Sequence, residues 1–230
     1  MILRNSIFLI VISLFFLACE SKTVLPKSKR VLPKLGRIDL EYRVVNGKKI
    51  TDSIFQKIPE FRFLNEDSLI VGNNNYKNKI WIAEFFFTSC PTICPVMNLQ
   101  LKKLNKETKA LNKHIQFLSF TIDPENDTPS ILKDYKKRYG IKSENWAFLT
   151  GNEAETHALG INNFLTFAGK DDEAAGGYAH SGSFTLVDKE GIVRGVYEVT
   201  NLDLMVNENE YKRLKQDIFD LLKYEYNTTP

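Results

Sequence analysis

The chain has 230 residues, of which 43% are hydrophobic and 26% are charged, and a chain of this length can bury a substantial core. It carries 31 basic and 28 acidic residues. Seven of the basic residues but one of the acidic ones lie in the first 37 positions, which leaves 24 basic and 27 acidic residues in the remainder. This slightly acidic remainder argues against a nucleic-acid-binding surface.

The first 19 residues have the pattern of a signal peptide. Arg4 precedes an apolar stretch over 7–18, which is shorter than the about 20 residues of a membrane-spanning helix. Leu17-Ala18-Cys19 resembles the lipobox of bacterial lipoproteins, in which the cysteine is lipidated, although Phe16 replaces the usual leucine. An uncleaved N-terminal anchor is the alternative. We predict an exported chain, anchored to the membrane by lipid on Cys19 and facing the periplasm.

Residues 20–37 are predicted to form a basic flexible linker. They contain six basic side chains, one acidic side chain and two prolines. Attraction to anionic lipid headgroups is a second interpretation of this charge. Residues 38–230 are then expected to form one domain.

The elements of this domain alternate between strands and helices. Strands are predicted over 39–45, 61–64, 68–71, 79–87, 115–122, 146–149, 182–188 and 191–197, and helices over 96–111, 128–139, 152–164 and about 208–224. The strand over 79–87 is almost entirely apolar, which indicates burial on both faces. The order predicts an α/β, thioredoxin-like fold with a central mixed sheet, flanking helices, an N-terminal β extension and a late β-hairpin insertion.

Two of the three cysteines, Cys90 and Cys94, lie between the apolar strand and the first helix. A helix N-terminus stabilises thiolates, which are both nucleophiles and metal ligands. The pair can therefore act as a redox couple or bind a soft ion such as Cu(I). A disulfide between Cys90 and Cys94 would close a very short loop and stabilise the fold little. We therefore expect the pair to have a chemical rather than a structural function.

A third metal ligand has to come from the three histidines. We expect His114 to lie in a surface connection and His157 on a helix surface. His180 precedes the late hairpin, in the loop that passes over the cysteines in thioredoxin-like folds. A hydrogen bond within a turn is its simpler interpretation. The chain has no proline between Pro129 and Pro230, so the cis-proline that ordinary thioredoxins carry in this loop is missing, which favours a ligand role for His180.

Three separated motifs over roughly residues 55–225 resemble the SCO/SenC family of copper-binding assembly proteins. They are Cys90-Pro91-Thr92-Ile93-Cys94-Pro95 after an aromatic strand, Thr121-Ile122-Asp123-Pro124-Glu125-Asn126-Asp127-Thr128-Pro129, and His180 followed by Leu186-Val187-Asp188. The resemblance departs at Ala179, where the family often has Asp. The predicted lipid anchor also replaces the membrane helix common in the family.

The resemblance implies a copper metallochaperone on the outer face of the inner membrane. It implies one copper ion, Cu(I) or Cu(II), bound by Cys90, Cys94 and His180. It also implies a function in assembling the copper-A site of cytochrome c oxidase, as copper donor, thiol reductant or both. The expected partner is the oxidase subunit that carries this site, or another copper protein.

Two other functions remain open. An exported thiol-disulfide oxidoreductase would use Cys90 and Cys94 to reduce copper-site cysteines of a client. A peroxiredoxin-type peroxidase would use Thr88 near Cys90, but no arginine is close in the sequence.

Two acidic residues follow the second buried strand. We expect Asp127 to cap the next helix and Asp123 to be structural. Asp123 also lies at the carboxyl end of a central strand, where open α/β sheets place their sites. A role for Asp123 next to the metal ligands is therefore a second hypothesis.

Overall fold

The computed structural model describes residues 30–201 and 203–228. The predicted signal peptide and Cys19 lie outside these residues. The strands are β1 (Ile38–Val45), β2 (Lys48–Phe55), β3 (Phe63–Asn65), β4 (Ile70–Val71), β5 (Ile80–Phe86), β6 (Ile115–Thr121), β7 (Trp146–Thr150), β8 (Ala168–Lys170), β9 (Tyr178–His180), β10 (Ser183–Val187) and β11 (Val193–Glu198). The helices are α1 (Ile93–Glu107), α2 (Pro129–Arg138), α3 (Glu153–Asn162) and α4 (Glu208–Asp220), and α4 continues as a π-helical turn over Leu221–Glu225.

A seven-stranded mixed sheet forms the centre of the domain, in the order β11-β10-β5-β6-β7-β3-β4. Strands β5, β6 and β7 are parallel to one another, and the other pairs are antiparallel. Every residue of β5 and β6 is buried, because helices cover both faces of such a sheet. The predicted thioredoxin-like α/β fold with its late hairpin is confirmed, and the carboxyl ends of β5 and β6 place the loops that follow them side by side.

Aromatic rings hold the central strands together below these loops. The Phe85 and Phe120 rings of β5 and β6 stack with centroids 5.2 Å apart. Phe120 also meets Phe61 at 5.5 Å and Phe164 at 5.4 Å. Close packing of this kind fixes the carboxyl ends of the strands in place.

Two small hairpins lie outside the central sheet. The predicted N-terminal strand pairs with β2, which sequence patterning missed, and every residue of β1 is exposed. Strands β8 and β9 pair through Ala168 and His180. His180 therefore lies on a strand rather than in a loop, and residues 171–177 form the turn of its hairpin.

The start of the described chain packs against the domain, although residues 20–37 were expected to be a flexible linker. Leu32 is 3% exposed, and its carbonyl oxygen accepts a hydrogen bond from Arg194 Nη2 at 2.5 Å. Arg194 is itself buried between Asp188 and Glu225. The chain docks because a buried guanidinium needs several acceptors. Leu32, within the predicted linker, is therefore packed against the domain, and residues 20–29 of that linker lie outside the described residues.

Among the residues that the structure describes, no helix is both long and apolar enough to cross a membrane.

Candidate metal centre

The two cysteines sit at the carboxyl edge of the sheet, directly after β5. Cys90 lies in the connecting loop, where its N–H donates to the Phe87 carbonyl oxygen at 3.2 Å. Cys94 is the second residue of α1. Thr92 precedes the helix without a side-chain cap. The first N–H groups of α1 are therefore left to stabilise negative charge on the sulfurs.

His180 completes a cluster of three ligand atoms. Its Nε2 atom is 3.0 Å from Cys94 Sγ. The ligand atoms of Cys90, Cys94 and His180 all lie within 4.8 Å of one another. In the described part of the chain, no other group of three His, Cys, Asp or Glu residues meets this distance. The structure thus brings together the three residues that the sequence singled out.

The orientation of the His180 ring suits a metal ligand. The Nδ1 atom is 3.2 Å from the backbone carbonyl oxygen of Ser181. A carbonyl oxygen can only accept a hydrogen bond, so Nδ1 carries the hydrogen and Nε2 of the neutral ring presents a lone pair to the sulfurs. The Phe87 ring contacts His180 edge-on at 5.9 Å. The lone pair is therefore directed into the cluster by both contacts.

A donor set of two thiolates and one imidazole prefers some metal ions over others. Soft thiolates select Cu(I), zinc or iron–sulfur clusters, and carboxylate-loving ions such as Mg²⁺ and Ca²⁺ are disfavoured. Structural zinc sites are four-coordinate, whereas three donors are present here. A three-donor, sulfur-rich set therefore fits Cu(I) better than structural zinc.

The two thiols differ in acidity although they are close together. A hydrogen bond from the Cys94 thiol lowers the pKa of Cys90 well below its ordinary value. Burial raises the pKa of Cys94 well above its ordinary value. Within the described residues, neither of these two cysteines forms a disulfide. Cys90 therefore loses its proton before Cys94 does. It is also the more accessible of the two, since it is 8% exposed against 1% for Cys94.

Asp127 holds the loop that carries Cys90 and does not cap α2, contrary to the sequence prediction. The helix is capped by Thr128, whose side chain accepts from the Ile131 N–H. The Asp127 carboxylate accepts hydrogen bonds from the Thr88 N–H at 3.0 Å and from the Thr88 and Thr121 hydroxyl groups. The Asp127 side chain points inward because these donors of Thr88 and Thr121 need an acceptor.

Asp123 is buried and reaches the hairpin that carries His180. Its carboxylate accepts two hydrogen bonds from the Asn126 amide, at 3.0 and 2.9 Å. The Tyr178 hydroxyl group lies 3.4 Å from Asp123 Oδ1 and donates to Glu153 Oε1 at 2.9 Å. Because Tyr178 begins β9, this contact joins the loop after β6 to the hairpin of His180. Asp123 is outside the cluster of ligand atoms.

The other two histidines do not join the cysteines. His157 was expected on a helix surface, but it is half-buried, and its Nε2–H donates to the Ile122 carbonyl oxygen at 2.8 Å. The ring turns inward because that carbonyl, at the end of β6, has room for a donor from α3. His114 lies in the turn before β6, where its carbonyl oxygen accepts from the Ile80 N–H.

Two buried polar side chains, Asn98 of α1 and Glu84 of β5, were not identified from the sequence. Asn98 donates to the Cys94 carbonyl oxygen at 2.9 Å and contacts the Tyr135 hydroxyl group at 2.6 Å. Glu84 is fully buried in β5 and accepts from the Ser119 hydroxyl group at 2.6 Å. Burial raises the pKa of Glu84 to about 7. The signal was present, since Glu84 is the one charged residue within an otherwise apolar strand.

Comparison with known proteins assigns the chain to a family. The family model of SCO1/SenC matches residues 51–210. A SCO1 protein homolog from Bacillus subtilis is 35% identical over 159 residues, which cover 69% of this chain and 82% of the relative. The chain therefore belongs to the SCO1/SenC family and has its thioredoxin-like fold.

Solved structures and a further relative agree with this assignment. A SCO1/SenC family lipoprotein from Bacillus anthracis superposes with a TM-score of 0.62 at 31% identity, covering 70% of this chain and 92% of that one. BsSco, described as a member of the Sco family of cytochrome c oxidase assembly proteins with a disulfide switch, gives 0.60 at 33% identity over 71% and 92%. A putative copper-binding protein from Stutzerimonas stutzeri is 30% identical over 60% of this chain and 67% of its own length.

Proposed function

We propose that this chain is a copper metallochaperone that binds one copper ion through Cys90, Cys94 and His180. The observation that carries the proposal is the mutual approach of their ligand atoms to within 4.8 Å. The copper-binding name of one relative supports it. The client is the cytochrome c oxidase subunit with the copper-A site, or another copper protein, and the oxidase assembly description of BsSco supports this choice.

Transfer of copper requires that the three ligands are released one after another. Cys94 is almost fully buried at the helix start, whereas Cys90 lies nearer the surface. His180 is on a two-stranded hairpin of three-residue strands, and we expect so short an element to open at a lower free-energy cost than the 15-residue helix α1. A client thiolate can therefore replace His180 and then Cys90, while Cys94 keeps the ion until the client holds it.

The location of the protein is part of the same proposal. Lipid on Cys19 would anchor the exported chain to the membrane, with the domain in the periplasm. The lipoprotein description of the Bacillus anthracis relative supports this anchor. Treatment of whole cells with an inhibitor of lipoprotein signal peptidase should leave a longer precursor, and Cys19→Ala should abolish lipid labelling.

Copper titration tests the ligand set. The chain from residue 20, reduced and without a tag, is titrated with Cu(I) against a chromophoric chelator. We expect one ion per chain, and a loss of affinity for Cys90→Ser, Cys94→Ser and His180→Ala that exceeds the 10–100-fold effect of removing an outer partner of a ligand. His114→Ala is the matched control and should bind as the parent does. Parent-like binding by His180→Ala and Cys90→Ser would refute the site.

A thiol-disulfide oxidoreductase is the second candidate, because the two free thiols lie within 4.8 Å of each other. The Cys90 thiolate would attack a client disulfide, form a mixed disulfide and release one client thiolate. Cys94, after losing its proton, would then attack Cys90 Sγ and release the second client thiolate. Two electrons pass from the cysteine pair to the client, and the Cys90–Cys94 disulfide remains.

The potential of the pair and its exchange rate with an oxidised copper-site peptide test this candidate. We expect a two-electron couple that Cys94→Ser converts into a trapped mixed disulfide. A pair that forms no disulfide and exchanges with no peptide would exclude the reductase.

A further inference from the structure

A cleft lined by lysines lies at the opposite end of the sheet from the metal centre. It has a volume of about 820 Å³, and among its lining residues Glu144 is the one acidic side chain. Six lysines line it: Lys79, Lys102, Lys106, Lys109, Lys113 and Lys142. So dense a set of like charges is unusual in a domain whose remainder is slightly acidic.

None of the ammonium groups of these lysines contacts a carboxylate in the described part of the chain, and two of them contact neutral acceptors. Lys79 donates to the Gln116 side chain at 3.1 Å and Lys102 to the Tyr139 carbonyl oxygen at 2.7 Å, both of which are neutral. For the lysines of the cleft, no carboxylate of residues 30–201 or 203–228 lies within ion-pair distance. The cleft therefore presents a concentrated positive field to solvent.

Strand direction fixes the position of the cleft. Lys79 immediately precedes β5, Lys113 precedes β6 and Lys142 precedes β7. Because these strands are parallel, the cleft lies at their amino ends and Cys90 follows at the carboxyl end. A seven-residue strand such as β5 separates the two ends by roughly 20 Å.

The N-terminal hairpin is attached to the domain at the same end of the sheet. Its base is tied to the domain by the Ile58 N–H, which donates to the Gly191 carbonyl oxygen at 2.8 Å in the turn between β10 and β11. That turn lies at the amino end of β5, because β10 is antiparallel to β5. The Leu35 N–H binds the Val193 carbonyl oxygen nearby. The chain thus joins the domain at the amino end of β5, the end of the sheet at which the lysine cleft lies.

One face of this hairpin is apolar and exposed. Ile38, Leu40, Tyr42 and Val44 alternate along β1 and point to the same side, with exposures of 50%, 55%, 59% and 71%. Lys49 of the facing strand lies over the Tyr42 ring at 5.2 Å. Apolar side chains flanked by lysine are the combination that enters the interface of an anionic bilayer.

We propose that the amino-end face of the domain, formed by the lysine cleft and the apolar face of β1, docks on an anionic membrane surface. Lysines contact lipid phosphates, and Leu40, Tyr42 and Val44 enter the headgroup region. Two copies of the cleft would repel each other, which argues against a second copy of this chain as the occupant. The docked domain presents Cys90 and His180 away from the bilayer, toward a client. The docking is independent of copper binding, so the two proposals can fail separately.

Vesicle co-sedimentation tests the docking with the chain from residue 20, which has no lipid. We expect binding to phosphatidylcholine vesicles that contain phosphatidylglycerol, weaker binding as salt is raised, and little binding to phosphatidylcholine alone. The variant K106Q/K109Q/K113Q should bind about 100-fold more weakly, at about 5-fold per lysine removed. Leu40→Ser with Val44→Ser should also weaken binding.

A matched control removes the same charge elsewhere. Lys133, Lys170 and Lys212 are exposed and lie outside the cleft, and their triple Gln variant should bind within a few-fold of the parent. Circular dichroism melting checks that all variants are folded. The proposal is overturned if the parent does not bind anionic vesicles. It is also overturned if the control variant loses as much vesicle affinity as the cleft variant. The proposal is also overturned if inorganic phosphate, at a concentration equal to that of the lipid phosphate, displaces the chain from the vesicles. Dimer formation through the hairpin, seen by sedimentation velocity, would overturn it as well.

Discussion

Asp127 accepts two hydrogen bonds from Thr88, one from its N–H at 3.0 Å and one from its hydroxyl group. Thr88 lies two residues before Cys90, and Asp127 lies in the loop after the neighbouring strand β6. The carboxylate thus joins the two loops at the carboxyl edge of the sheet. Thr121 adds a third hydrogen bond from within β6, so the position of Cys90 is held by residues outside the cluster of Cys90, Cys94 and His180.

The first prediction concerns this connection. Asp127→Asn places an amide donor among groups that already donate, and we expect it to reduce the free energy of unfolding by about 3 kcal/mol, since hydrogen bonds to a charged group are worth about 1.5–3 kcal/mol each. Copper affinity should fall by about 10-fold, the lower range for a partner outside the ligand set. Urea unfolding and the Cu(I) titration measure both. Glu125→Gln, an exposed neighbour, is the control, and equal behaviour of the two variants would contradict the assignment.

The second prediction concerns the order in which the thiols react. Because the Cys94 thiol lowers the pKa of Cys90, and burial raises the pKa of Cys94, iodoacetamide at neutral pH should label Cys90 first. Peptide mass spectrometry of the metal-free, reduced chain over time gives both rates. Labelling in urea should remove the difference, because it depends on the folded environment. Equal rates in the folded chain would show that the acidity of the pair is wrongly assigned.

The third prediction is a dependence of stability on pH that originates at Glu84. Burial raises the pKa of Glu84 from 4.5 to about 7, against the lowering effect of the hydrogen bond from Ser119. Between these values the unfolded chain has released the proton that the folded chain retains. The contribution of Glu84 to stability is therefore present below pH 4.5 and decreases as pH rises through about 7. The total change is about 3 kcal/mol at 1.36 kcal/mol per pKa unit.

Glu84→Gln removes this titration but keeps an acceptor for Ser119. Urea unfolding of the parent and the variant across this pH range should give free energies whose difference shifts in favour of the variant by about 3 kcal/mol as the pH rises. A difference that stays constant over this range would show that folding does not raise the pKa of Glu84.

The central strands and the proximity of Cys90, Cys94 and His180 could be predicted from the sequence, because local signals mark the strands and the order of the elements brings the three residues together. The apolar run before Cys90 fixes β5, and the order of the elements places His180 opposite the cysteines. Strand β2 was missed because its polar residues give no regular alternation. Strands β8 and β9 were missed because three-residue strands owe their pairing to tertiary contacts rather than to propensity.

The errors at the site have a similar origin. Asp127 precedes Thr128-Pro129, a sequence typical of a helix start, and only the tertiary structure shows that its carboxylate turns toward Thr88 instead. The inward turn of His157 depends on the free Ile122 carbonyl oxygen, which belongs to another element. Side-chain direction at an element boundary is decided by which donors and acceptors the fold leaves unpaired.

X-ray absorption at the copper edge of the Cu(I)-loaded chain tests the central claim most directly. The proposed site predicts two sulfur neighbours and one nitrogen neighbour per copper ion, and a spectrum for His180→Ala in which the nitrogen is lost while both sulfurs remain. A parent spectrum with sulfur neighbours alone, or a His180→Ala spectrum identical to that of the parent, would contradict a copper site formed by Cys90, Cys94 and His180.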